Sequence, residues 1–91
     1  MSIEKTLKQR GSIYGAFSDN AETSQIMKQT MRQAKNWNEL SYAQQEALEM
    51  VQHKISRMLN GNHNYQDNVV DILGYTELMF KDMKAKNGKK T

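Results

Sequence analysis

Not one of the 91 residues is proline. Proline is the strongest internal breaker of a helix, because it removes a backbone hydrogen bond and clashes with the preceding turn. Nor does the sequence alternate apolar and polar residues with the period of two that marks a strand. A chain with neither feature is left with helices and short connections. The sequence therefore predicts an all-α fold: a short N-terminal helix, a loop, then helices packed as an antiparallel helical hairpin, in an oligomeric protein.

The punctuation gives the order of these elements. Ile3 and Leu7 lie four apart and form the apolar edge of a short helix over residues 2–9. Arg10-Gly11-Ser12-Ile13-Tyr14-Gly15 follows, and two glycines with serine between them read as a loop. The second helix is expected from near Asp19, which has Glu22 at capping-box spacing, to about Lys35. Met27, Met31 and Ala34 form its apolar stripe. Residues 36–40 connect it to the third helix, with Trp37 and Leu40 as apolar anchors.

Ser41-Tyr42-Ala43-Gln44 is a capping box of the Ser-x-x-Gln type and opens the third helix. Its apolar face is Ala47, Leu48, Val51, Ile55, Met58 and Leu59, and Asn60-Gly61 stops it, with the glycine expected in the left-handed conformation. The fourth helix begins near Asn64 and carries apolar residues on more than one side, from Val69 to Met83. Gly74 lies inside it, at a cost of about 1 kcal/mol relative to alanine, so close packing or a kink is expected there. Residues 1–80 form one domain; residues 81–91 are a basic tail, the end of the last helix followed by a disordered segment.

A chain this short buries only roughly 60–65% of its unfolded surface. Its apolar fraction, with Gly counted in place of the four Tyr, is about 38%, against about 45–50% for ordinary domains. Small scaffolds make up such a shortfall with disulfides, a metal or a partner chain. There is no cysteine, and two histidines, His53 and His63, do not make a structural zinc site. Self-association is the preferred remedy, and a marginal monomer is the alternative. No apolar run reaches the length of a membrane span, and neither a signal core nor cysteine is present, which fits the cytoplasm.

The net charge of +3 is unevenly spread. Residues 81–91 hold five Lys and one Asp, so residues 1–80 carry a net −1. The basicity belongs to the tail, which argues against a broad surface for DNA or RNA polymers. Within the body, residues 1–35 carry +3 and residues 36–80 carry −4, so an anionic ligand should sit against the first third.

Two places can carry chemistry. Glu46 and Glu49 lie three apart on the third helix, Asp67 and Asp71 four apart on the fourth. Facing one another, four carboxylates can hold Mg²⁺. This resembles the all-α nucleoside-triphosphate pyrophosphohydrolases, except that Asn68 stands where their pattern has Glu. The alternative is solvated helix faces, with Glu49 paired to Lys54 or His53. His53 itself reads as a partly buried, hydrogen-bonded side chain; no catalytic triad or phosphate-binding loop can be assembled. The other place is Arg10–Phe17. Tyr14, beside Gly15, can present an aromatic face to a base, glycine lets backbone N–H groups approach a phosphate, and Lys28 supplies a point charge. Tyr14 and Phe17 equally suit apolar anchors of a slippery loop.

At these residues a family resemblance appears. Residues 10–21, 46–61 and 71–75 resemble, in order, the N-terminal signature, central helix and last-helix motif of a group of small phage and prophage proteins. Members include the anti-CBASS sponges, which sequester cyclic oligonucleotide signals of bacterial immunity. The resemblance implies a non-enzymatic homohexamer, without cofactor, that binds cyclic dinucleotides in the host cytoplasm. It implies that Tyr14 stacks on a base and Lys28 meets phosphate; Arg10, Gly15 and Phe17, from the loop itself, complete the candidate ligand-binding set. It also implies a second pocket, for cyclic trinucleotides, to which Arg57 is assigned. Lys28 lies some ~13 Å along its helix from the cap, so Tyr14 and Lys28 are expected to meet across two chains.

Overall fold

The computed structural model describes residues 2–88, and within them the chain is entirely helical, with no strand. The order is α1 (Ile3–Tyr14), α2 (Phe17–Gln33), a 3-10 turn (Trp37–Glu39), α3 (Tyr42–Asn60) and α4 (Gln66–Gly88). α3 packs chiefly against α4 on one side and α2 on the other, while α1 touches α2 and α3.

α3 starts where its capping box requires. The Ser41 side chain accepts from the Gln44 backbone N–H, and the Gln44 side chain accepts from the Ser41 N–H. α1 is longer than the expected 2–9, running through Arg10-Gly11-Ser12 to Tyr14. Gly11 is tolerated inside it, and the Ser12 hydroxyl donates to the Gln9 carbonyl, so it does not compete for the helix's own bonds. The true break is Gly15, at φ 85° and ψ −177°, a region essentially reserved for glycine. Only Gly15 and Ala16 separate α1 from α2. α2 therefore starts at Phe17, not Asp19, and Asp19 sits in its first turn, where its charge complements the helix dipole.

Gly61 ends α3, but not in the left-handed conformation: its φ is −129°. Glycine is needed there for closeness instead. A Cβ on Gly61 would lie 2.3 Å from the Tyr14 carbonyl carbon, and one on Gly15 would lie 2.0 Å from the Asn60 carbonyl oxygen. The ends of α1 and α3 cross backbone to backbone, and the Asn62 N–H donates to the Ile13 carbonyl at 2.7 Å. α4 starts at Gln66 rather than near Asn64, and it extends through residues 81–88 of the expected tail; the remaining residues lie outside those described. A Cβ on Gly74 would meet nothing within 4 Å, so the close packing expected at this glycine is not found among the described residues.

The interior is unusual for its polarity. Ala47 is the one buried apolar side chain among the described residues, whereas Ser24, Gln52, Ser56 and Asn68 are all buried. Ser24 and Gln52 bond one another across α2 and α3, the Gln52 amide donating at 3.1 Å. Asn60 donates to Thr23, Gln45 to the Trp37 carbonyl, and Arg32 pairs with Glu49 at 2.8 Å. These partners run in opposite sequence order, so α2 and α3 are antiparallel. The expected α3 face is half-buried from Leu48 to Met58 and exposed at Leu59; Met27 and Met31 are half-buried, and Ala34 is the exposed cap of α2.

The chain is long and open, 54 × 26 × 23 Å, with a radius of gyration of 15.8 Å where a compact domain of this length has roughly 12 Å. Its accessible surface is 7033 Å², against about 5,400 Å² for a compact monomer of this mass. The excess is apolar in good part: Ile3, Leu7, Val70, Leu73, Leu78 and Phe80 are each exposed by more than half.

Candidate functional site

The crossing of Gly15 and Gly61 fixes the end of α1, and with it Tyr14. The Asn20 side-chain amide donates to the Tyr14 carbonyl and pins the first turn of α2 to the same point. The Tyr14 ring meets Tyr65 edge to face, with centroids 5.8 Å apart and planes at 80°. Above the Tyr14 ring lies the Arg57 guanidinium, 4.1 Å from its centroid, a cation–π contact.

Around this cluster opens a groove of about 720 Å³. α1 contributes Arg10 and Tyr14, α2 contributes Phe17 and Lys28, and α3 contributes His53 and Arg57. No Asp or Glu is among its lining residues. Three fixed cations and a histidine thus surround one opening without a carboxylate to neutralise them. The His53 imidazole responds to this field. Partial burial, then the charges of Arg57, Lys54 and Lys28, hold its pKa below the ordinary 6.5.

That shift has a sign that can be tested. Below pH 6.5 the unfolded chain binds a proton at His53 more readily than the folded chain does, so protonation favours unfolding. The ligand-free protein should keep its full stability above pH 6.5 and lose some as the pH falls through the lowered value. Thermal midpoints at pH 7.5 and 5.5 should differ more in the parent than in His53→Gln.

All the residues expected at the site, Arg10, Tyr14, Gly15, Phe17 and Lys28, line this groove. Arg57 lies over Tyr14 and lines this groove, and it also lines a second opening, with Thr6, Gln9, Arg10, Ile13 and Tyr14. Tyr14 and Lys28, expected to come from two chains, line one groove of a single chain. Phe17 is no anchor: it is 86% exposed at the groove's rim. His53 had no signal in the sequence beyond its place near an apolar stripe, and only the packing of α2 on α3 makes it part of the lining.

The carboxylates lie elsewhere. Glu49 pairs with Arg32, not with Lys54 or His53, and Asp71 pairs with Lys54 at 2.8 Å. Asp67, through a hydrogen bond and its charge, pushes the Tyr65 hydroxyl up to about 12. Asn68 is buried, and its amide nitrogen has no partner among the described residues. Among those residues no three His, Asp or Glu side chains gather where one ion could touch them. No helix there is long and apolar enough to cross a membrane.

Residues 3–82 match the family described as a domain of unknown function, DUF6378. The match covers most of the chain, which belongs to that family. No curated protein and no solved structure matches it.

Proposed function

We propose that this member of the DUF6378 family is a non-enzymatic sponge: it binds a cyclic dinucleotide in the groove between α1, α2 and α3 and holds it intact. The single observation that carries the reading is the convergence of Arg10, Lys28 and Arg57 with Tyr14 and Phe17 on one carboxylate-free groove. Its volume lies within the roughly 300–1,000 Å³ of small-molecule sites. Phosphodiesters are anionic at all ordinary pH, and three cations meet them without a proton to lose. Arginine planes and aromatic faces stack on bases, so the Arg57–Tyr14 stack and the exposed Phe17 offer a base two platforms. The resemblance of residues 10–21, 46–61 and 71–75 to the anti-CBASS sponges supplies the ligand class and the consequence, a lowered free concentration of the immune signal in the host cytoplasm.

The same reading makes the active particle a homo-oligomer, hexameric by the resemblance, with α3 and α4 as its antiparallel hairpin. Support comes from the surplus surface and the exposed apolar residues of α1 and α4, which a lone chain leaves in water. Light scattering at micromolar concentration should report several chains per particle. In the same sample, equilibrium dialysis against cyclic dinucleotides should show retention that weakens as salt rises. A 10.5 kDa particle that retains none of them overturns the proposal.

A further inference from the structure

One side chain of the groove has no part in the reading above. His53 lies between the fixed cations, and among the described residues neither of its ring nitrogens has a hydrogen-bond partner; only its backbone carbonyl is engaged, by the Ser56 hydroxyl. Neither nitrogen is among the side-chain atoms sealed from solvent. An imidazole on a groove wall with both nitrogens unclaimed is placed to touch whatever occupies the groove.

We propose that His53 is an anion contact of this groove, donating to a phosphate-class oxygen as the imidazolium and releasing it on losing its proton. The charges around it explain why the proton comes with the ligand. Arg10 on α1, Lys28 on α2, and Lys54 and Arg57 on α3 are all positive. Among the described residues, the one carboxylate bonded to any of them is Asp71 on α4, engaged by Lys54. In the empty groove nothing negative stabilises the imidazolium. An anion entering between Lys28 and Arg57 reverses the local field, and an opposite charge within a few ångströms favours the protonated form. Binding then takes up a proton at His53, and by linkage the anion binds more tightly as the pH falls.

The inference rests on the groove being an anion site, but not on the anion being a cyclic dinucleotide, and the test separates the two. The His53 ring is titrated by NMR in the full chain, alone, with sulfate, and with a cyclic dinucleotide, the signal being assigned by its loss in His53→Gln. Sulfate and phosphodiesters do not titrate between pH 5 and 8, so any proton taken up belongs to the protein. The His53 midpoint should rise by about one pH unit with either anion, equivalent to a roughly tenfold tightening across the transition. His53→Gln should lose the roughly tenfold tightening that the parent shows as the pH falls from 7.5 to 5.5. A rise with sulfate alone upholds His53 as the contact and sinks the sponge. A dinucleotide that binds without moving His53 upholds the sponge and overturns the inference, as does an unmoved midpoint with both anions.

Discussion

Replacing Gly15 with alanine should cost the protein at least about 3 kcal/mol and lower its thermal midpoint by more than about 12 °C, at roughly 4–8 °C per kcal/mol for a domain this small. Two independent costs add. The backbone at φ 85° lies where an L side chain is strained by about 1–3 kcal/mol. The new methyl would also fall 2.0 Å from the Asn60 carbonyl oxygen, a backbone atom that cannot rotate aside. With total stability of roughly 5–14 kcal/mol expected for this length, and one buried apolar residue described, the variant is left marginal. Gly61→Ala should do the same, since its methyl would meet the Tyr14 backbone. Gly11→Ala is the control: nothing lies within 4 Å, the site is helical, and up to about 1 kcal/mol of stabilisation follows from helix propensity. Circular dichroism melts of the three variants check the set. A Gly15→Ala protein as stable as the parent means that the backbone crossing at the end of α1 is not close.

The second large effect concerns binding. Tyr14→Ala should weaken cyclic dinucleotide binding by between about 5- and 150-fold, the equivalent of the 1–3 kcal/mol that base stacking contributes. Truncation removes the ring beneath Arg57 and the edge that meets Tyr65, so the guanidinium loses its support as well. Tyr14→Phe keeps both contacts and should stay within a few-fold of the parent. Lys28→Ala should weaken binding and flatten its salt dependence, because one fixed cation has gone. Melts recorded beside the titrations separate lost binding from lost fold. Parent-like binding by Tyr14→Ala would make the Tyr14–Arg57 stack purely structural.

The comparison of these two predictions shows where a sequence speaks. Helix α3 was legible to the residue at its start because a capping box is local chemistry: Ser41 and Gln44 bond each other's backbone whatever surrounds them. The loop at residues 10–15 was misread because Gly11 and Ser12 are breakers by composition only. Whether glycine breaks a helix depends on its φ and on what lies beside it, and here Gly15 alone meets the end of α3. Asp19 and Glu22 have the spacing of a cap without its geometry, since the chain turns into α2 two residues earlier. Tyr14 was singled out by its place beside Gly15, and Lys28 by its charge on the next helix, and both line the groove. Arg57 and His53 were not legible as its neighbours. More than thirty-five residues separate them from Tyr14, and only the folding of α1 and α2 onto α3 brings them there. The lean composition pointed to a small core, and the exposed apolar residues of α1 and α4 agree with it.

One measurement bears most directly on the central claim. The purified protein is saturated with a cyclic dinucleotide, freed of unbound ligand by rapid gel filtration, denatured, and the released nucleotide identified by mass spectrometry. The account predicts that the cyclic compound returns intact and in fixed proportion to chains, with or without Mg²⁺. Recovery of linear dinucleotide or mononucleotides, or of no nucleotide at all, contradicts it.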